Sequence, residues 1–237
     1  AMGTMLKYGS ESAKQFYEMC VIDPRFAKAH REGDIHIHDM DFYTLTTTCC
    51  QIELRKLFKG GFSTGHGVLR EPNDIASYTA LACIAIQSNQ NDQHGGQSVC
   101  DFDYGLAVGV RKTYRRLFKK HLAEAVDLLT EVADEHPFVE ELLARVEEAT
   151  GTVASLEMDE GFRAAVLAEL TEAGIEAAIA ETAVAYAAKN AARDADRSTF
   201  QAMEALVHNL NTMHSRAGAQ TPFSSVNYGM DTSPEGR

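Results

Sequence analysis

The 237-residue sequence has no run approaching ~18 uncharged apolar residues, which excludes a membrane-spanning helix. Its opening, AMGTMLKYGSESAKQ, lacks the apolar stretch of a secretory signal, so none is expected. No Cys-x-x-Cys pair occurs, which excludes a zinc ribbon and a thioredoxin-type redox pair. Neither GxxxxGKS/T nor GxGxxG is present, so no phosphate-cradling loop of those types exists. No repeat of fixed period is visible. The five cysteines are odd in number, and without a signal peptide the reducing cytosol is the expected compartment.

What is present is a 45% apolar chain, rich enough to bury a core, which excludes disorder. The net charge of −12 is unevenly placed. Residues 121–190 hold sixteen acids against three bases, so the flanks are close to neutral. A broad basic face for nucleic acid is therefore absent, and no DNA partner is expected.

Periodicity predicts a helix from about Glu11 to His30, broken near Pro24. In 34–52, Ile35 and Ile37 alternate with His36 and His38, and β-branched residues follow, predicting strand then strand or extended loop. The glycine-rich run KGGFSTGHG at 59–67 predicts irregular chain. Pro72 and Asp74 predict the start of a helix that turns Ile75, Tyr78, Leu81, Ala82 and Ala85 to a core and ends near Asn89. NQNDQHGGQS at 89–98 reads as a polar loop. A helix is expected over Asp103–Leu129, and shorter helices over 131–192 with stops at Pro137, Gly151 and Gly161. Another helix is expected over Ser198–His214, then loop, short strand and loop. Strands this far apart, with helices between, imply parallel or mixed pairing through crossovers. The expected class is helix-rich α/β, either part of a larger domain or an α+β domain.

Chemistry concentrates in a few places. In TTTCCQ (46–51), adjacent strand residues point to opposite faces, so one of Cys49 and Cys50 can line a cavity while the other packs. A disulfide between these neighbours would be strained. Two small apolar residues in a strand is the plain alternative. His36 and His38 share a strand face, with Asp39 and Asp41 close by. Metal binding, site lining and structural hydrogen bonding all remain open for them, and His66 and His94 are further candidates only if the fold brings them near. Arg111, Lys112, Arg115, Arg116, Lys119 and Lys120 form the one concentrated positive patch. It suits phosphate binding, or else a solvated face that balances the acidic segment after it.

Several runs resemble the anaerobic (class III) ribonucleoside-triphosphate reductases: HREGDIHIHDMD with TLTTTCCQIEL, FKGGFSTGHG, IQSNQNDQHGGQS, and AQTPFSSVNYGMDTSPEGR. The likeness covers most of 10–120 and 195–237; the acidic segment at about 121–194 matches no motif and reads as a variable helical part. The resemblance implies a ten-stranded α/β barrel of the glycyl radical enzyme type, of which 1–237 is the N-terminal portion. It implies reduction of ribonucleoside triphosphates at the 2′-carbon, with a thiyl radical generated from a glycyl radical elsewhere in the barrel. Cys49 resembles the family's reducing strand cysteine, although its neighbour Cys50 leaves the choice between them open. His36, His38, Thr48, Gln220, Thr221 and Ser224 are implied near the substrate, with no metal. Glu71, Lys112 and Arg116 are implied at a deoxynucleotide or ATP effector site.

The resemblance also implies a homodimer and a radical-SAM activating enzyme with an iron–sulfur cluster, with no membrane contact. No cofactor is expected on this part; the family's structural zinc belongs to a C-terminal region. An RVxGY-type radical motif, zinc-binding cysteine pairs, a finger-loop cysteine after QTPF and a full N-terminal ATP-cone are not found in 1–237. The chain alone is therefore expected to lack reductase activity. A non-catalytic nucleotide-binding module and a pyruvate formate-lyase-like enzyme are the competing expectations.

Overall fold

A computed structural model describes residues 2–43, 47–65, 67–130, 135–213 and 221–237. Helix α1 (Met2–Cys20) leads through a short turn into α2 (Pro24–Glu32). The break falls where proline predicts it: Pro24 opens α2, and the Asp23 side chain accepts from the Arg25 amide at 2.8 Å. Gly33, at φ 84°, ends α2 in the left-handed conformation open to glycine.

The expected strand at 34–38 does not form. This stretch is a loop into a 3-10 turn at Met40–Phe42, and His36 and His38 are exposed on it. The Nδ1 atom of His30 accepts from the Ile37 amide at 3.2 Å, folding the loop back on α2. Asp39 adopts φ 49°. The alternation of isoleucine and histidine is therefore used in a turn, where no neighbouring strand takes up its backbone.

The sheet proper is three-stranded, parallel, in the order β1 (Thr47–Ile52), β4 (Gln93–Val99), β5 (Ser224–Val226). Between β1 and β4 lie α3 (Leu54–Phe58), a small antiparallel hairpin of β2 (Phe62–Ser63) and β3 (Val68–Leu69), and α4 (Ile75–Asp92). The hairpin adds a short ladder to a stretch expected to be irregular. Asp74 caps α4 by accepting from the Ser77 amide at 2.8 Å, as the acidic start predicts. Ile75, Tyr78, Ala82, Cys83 and Ile86 on α4 pack with Leu54, Phe58, Val99, Leu106 and Leu206 into one core.

The stretch 93–99, expected as a loop, is the central strand. Gln93 and Gln97 are buried on it, and Gln97 donates to the Ile86 carbonyl at 2.9 Å and to Gln90 Oε1 at 3.1 Å. A polar strand of this kind carries no hydrophobic signature, because α4 supplies the partners that water would supply to a loop.

Helix α5 (Phe102–Leu129) follows the predicted bounds closely. Its Gly105 and Gly109 let it press on α3 and α4: added Cβ atoms would meet Leu54 at 2.7 Å and Tyr78 at 2.9 Å. Helices α6 (Glu135–Thr150) and α7 (Glu160–Glu172) cover part of the acidic region, with Gly151 a true stop at φ 67°. Pro137 and Gly161 do not stop helices; each lies in a first turn, where missing internal hydrogen bonds make them tolerable. The two late helices expected on either side of 193–197 are one, α8 (Ala177–Thr212), since no glycine or proline interrupts that charged run. Alanines 180, 183, 187, 191 and 195 are buried on α8 and join Phe118, Leu122, Leu142 and Phe162 in a second core.

The class is helix-rich α/β, as expected. Among the described residues, five strands form in two separate sheets. Among them too, no helix is long and apolar enough to cross a membrane.

Candidate functional site

The site is built on the start of β1. The β1–β4 register shifts between Thr48 and Cys50, where Gly95 and Gly96 of β4 bulge opposite the single residue Cys49, itself at φ 54°. Among the described non-glycine residues, only Asp39 and Cys49 have positive φ. Such a backbone costs an L-residue roughly 1–2 kcal/mol and recurs where a side chain must be aimed. The expected strict alternation of Cys49 and Cys50 is thus replaced by a bulge. Cys49 is exposed, while Cys50 is half-buried and accepts at Sγ from Asn89 Nδ2 at 2.9 Å. All five cysteines are thiols.

Two glycines of β4 form the floor. Gly95, at φ +98°, lies under the Cys49 thiol, and a Cβ there would come within 3.0 Å of Sγ. Gly96 lies under the Phe223 ring, with 2.9 Å between its absent Cβ and Cδ1. The family-like Gly95–Gly96 pair is therefore required by contact with both neighbouring segments.

Next to this floor, Thr48 pairs in register with His94. Asp39 Oδ1 lies 3.1 Å from His94 Nε2, and Asp39 Oδ2 lies 3.3 Å from His38 Nε2. The Phe42 ring stacks on His94 at 4.1 Å. Asp39 thus ties the histidine loop to the strand beside Cys49. The sequence placed Asp39 beside the histidines and made His94 a candidate only if the fold brought it near; the fold does so, against Asp39 and beside Cys49. The signal was their place in GDIHIHD and DQHGG.

Of the implied substrate residues, Thr48 and His38 join this cluster directly or through Asp39. His36 lies between His30 and His38 with its ring tilted against both, at 5.6 and 5.8 Å between ring centres, without reaching β1 chemistry. Ser224 pairs with Gln97 on the α4-facing row that includes Cys50. Thr221 is exposed two residues before Phe223. Gln220 and His66 lie outside the described residues. A cleft of about 670 Å³ opens on the Cys50 side, lined by Cys50, Ile52, Phe62, Ser63, Asn89 and Asp92 among others. Among the described residues, no three His, Cys, Asp or Glu side chains converge as a metal set.

The positive patch lies apart, on α5. Lys112 Nζ donates to Glu71 Oε1 at 2.6 Å and to the Pro72 carbonyl at 2.9 Å. The Lys112 hydrogen bond, helped by the Gly60 amide, holds the Glu71 carboxyl below its ordinary range. Burial alone would lower Lys112, but bonds to Glu71 and Tyr78 outweigh it and raise the amine. Arg116 faces Asp74 at 3.7 Å. Arg111 pairs with Glu235 at 3.2 Å and Lys120 with Glu124 at 3.5 Å. Arg115 and Lys119 pair with Glu147 and Glu140 of α6.

The family model described as anaerobic ribonucleoside-triphosphate reductase matches residues 1–237. The protein of that name from Enterobacteria phage T4 is 31% identical over 100 residues, 41% of this chain and 16% of the relative. That from Salmonella typhimurium is 23% identical over 227 residues, 95% of this chain and 24% of the relative. That from Escherichia coli is 27% identical over 106 residues, 44% of this chain and 15% of the relative. The chain spans about a quarter or less of the length of the curated relatives it matches. With the match running over its whole length, the chain belongs to the anaerobic ribonucleoside-triphosphate reductase family, a family of enzymes.

Proposed function

We propose that this chain forms the strand-cysteine part of an enzyme that reduces ribonucleoside triphosphates to 2′-deoxyribonucleoside triphosphates without oxygen. The observation that carries this reading is Cys49: an exposed thiol held at positive φ opposite the β4 bulge, seated on a glycine, within the run that resembles the family. The net reaction replaces the 2′-hydroxyl by hydrogen, consumes two electrons and two protons and releases water. Cys49 donates one hydrogen atom to the ribose and is itself oxidised by one electron. Thr48, His38 and Thr221 orient substrate around it, with Ser224 contributing from the Cys50 row and His36 from the exposed loop.

In this reading the radical originates on a glycine of the barrel, installed by an S-adenosylmethionine-dependent iron–sulfur activase, and a structural zinc belongs to the family's C-terminal region. The chain contributes strands to a ten-stranded barrel and works as a homodimer in the cytoplasm. Lys112 and Arg116 contact the phosphates of a deoxynucleotide or ATP effector, and Glu71 belongs to the same effector site as the partner that positions Lys112.

The test is anaerobic CTP reduction with activating enzyme and formate or a thiol donor, in the polypeptide that carries this chain through the rest of the barrel. Cys49→Ser lowers dCTP formation on the order of 10³-fold or more, while Cys50→Ser costs no more than ~10-fold. The opposite ranking would move the role to Cys50. The 237-residue chain by itself forms no dCTP under the same conditions.

A further inference from the structure

The acidic region has no counterpart among the family-like motifs, yet two of its carboxylates reach the cation stripe of α5. A cleft of about 660 Å³ lies between α5 and α6, within the range of small-ligand sites. Lys112, Arg115, Arg116 and Lys119 line it from α5, and Glu140 and Glu147 line it from α6. The spacing of the four cations, at i, i+3, i+4 and i+7, puts them on one helix face. Glu147 takes Arg115 in a two-pronged fork, with Arg115 Nε 2.6 Å from Oε1 and a second bond from Nη2 to Oε2; Glu140 takes Lys119. This fork is the geometry an arginine offers to a phosphate. Leu143, Ala144 and Ala154 add an apolar wall beside the charges, suited to a sugar or base.

We propose that α6 is a built-in competitor for this cleft: Glu140 and Glu147 occupy the places of phosphate groups, and a nucleoside triphosphate binds by displacing them. The inference rests on the reading that the α5 cations take effector phosphates. It adds that the acidic helix sets the affinity. The exchange is feasible because Arg115, Arg116 and Lys119 are all more than a third exposed, and such pairs hold weakly in water. A triphosphate brings more negative charge than the two carboxylates it replaces. Helix α6 itself need not leave. Val139, Leu142 and Val146 keep it in the second core while its two glutamates swing aside.

The experiment is calorimetric titration of the 237-residue chain with dATP, dGTP, dTTP and ATP at low salt, comparing wild type, Glu140→Gln, Glu140→Gln/Glu147→Gln and Arg116→Ala, with helicity checked by circular dichroism. The double glutamine variant is expected to bind about 10-fold more tightly than wild type, and the single one about 3-fold. Arg116→Ala is expected to weaken binding. Binding by the double variant where wild type shows none also supports the competitor. Wild-type binding that Arg116→Ala weakens, with unchanged or weaker affinity in both glutamine variants, overturns the competitor and leaves the effector site standing. No heat with any nucleotide in any folded variant overturns the effector reading, and the competitor with it.

Discussion

At the scale of single residues, Cys49 is the most informative. Its position in a threonine-rich run was legible in the sequence, but its backbone was not. The bulge arises because β4 offers Gly95 at φ +98° opposite it, and a strand read alone has no partner to break register with. Two substitutions separate the strain from the chemistry. Gly95→Ala forces an L-residue into a positive-φ position and drives its Cβ to 3.0 Å from Sγ, so it is expected to cost about 1–3 kcal/mol in denaturant unfolding. Cys49→Gly removes the strain at φ 54° and is expected to stabilise by about 1 kcal/mol while abolishing the thiol. A destabilised Cys49→Gly would mean that packing of the thiol outweighs its backbone cost. The acidic partners of the α5 cations were equally hidden, since Arg115 and Glu147 are 32 positions apart.

At the scale of elements, caps and proline breaks were readable and buried polar elements were not. Strand β4 read as a loop because Gln93 and Gln97 are polar, although both are buried. Their neighbours on α4 satisfy only part of the layer: Gln87 Nε2, Gln90 Nε2 and Gln93 Oε1 find no partner among the described residues. Asn89 holds this layer to the sheet, donating to Cys50 at 2.9 Å and to Gln97 Oε1 at 2.7 Å. The short helix α3 depends on a cap from far away in sequence. Asp101 accepts from the Leu54 amide at 2.8 Å and from the Arg55 amide at 3.2 Å. Asp101→Ala strips the helix of these acceptors and is expected to cost about 1–2 kcal/mol, read as a lowered urea midpoint with unchanged slope. No local pattern around 53–58 announces this cap, because the capping residue follows the neighbouring strand β4, far away in the chain.

At the scale of the whole molecule, α5 and α8 contribute to both cores, joining the sheet to the acidic helices. His121 of α5 reinforces that join, with Asp194 of α8 at 2.9 Å and Glu124 at 2.7 Å. Besides the Arg111–Glu235 pair, a buried carboxylate of α5 ties down the last segment. Asp103 accepts from the amides of Met230 at 2.7 Å and Asp231 at 2.8 Å. Burial alone would raise the Asp103 carboxyl, but these amides, with those of Tyr104 and Gly229, outweigh it and hold it below its ordinary value. The stability it contributes is therefore complete above the unfolded carboxylate range and is lost as pH falls through the lowered folded value. Amide exchange at Met230 and Asp231 is expected to accelerate below about pH 4, ahead of exchange in the α5–α8 core. Asp103→Asn is expected to weaken that dependence; an unaltered pH profile in this variant would assign the anchor to another group.

The sequence by itself determined the family, the α/β class, the principal helix starts at Pro24 and Asp74, and the run that holds the candidate thiol. Those depend on local spacing, capping chemistry and ordered motifs, which need no partner segment. Only the tertiary structure decided the strand identity of 93–99, the bulge under Cys49, the Asp39–His94 link and the closure of the α5 cations by α6. Each of these joins residues distant in the chain, and its physical cause, a register shift, a shared hydrogen bond or an ion pair, exists only once the chain has brought them together.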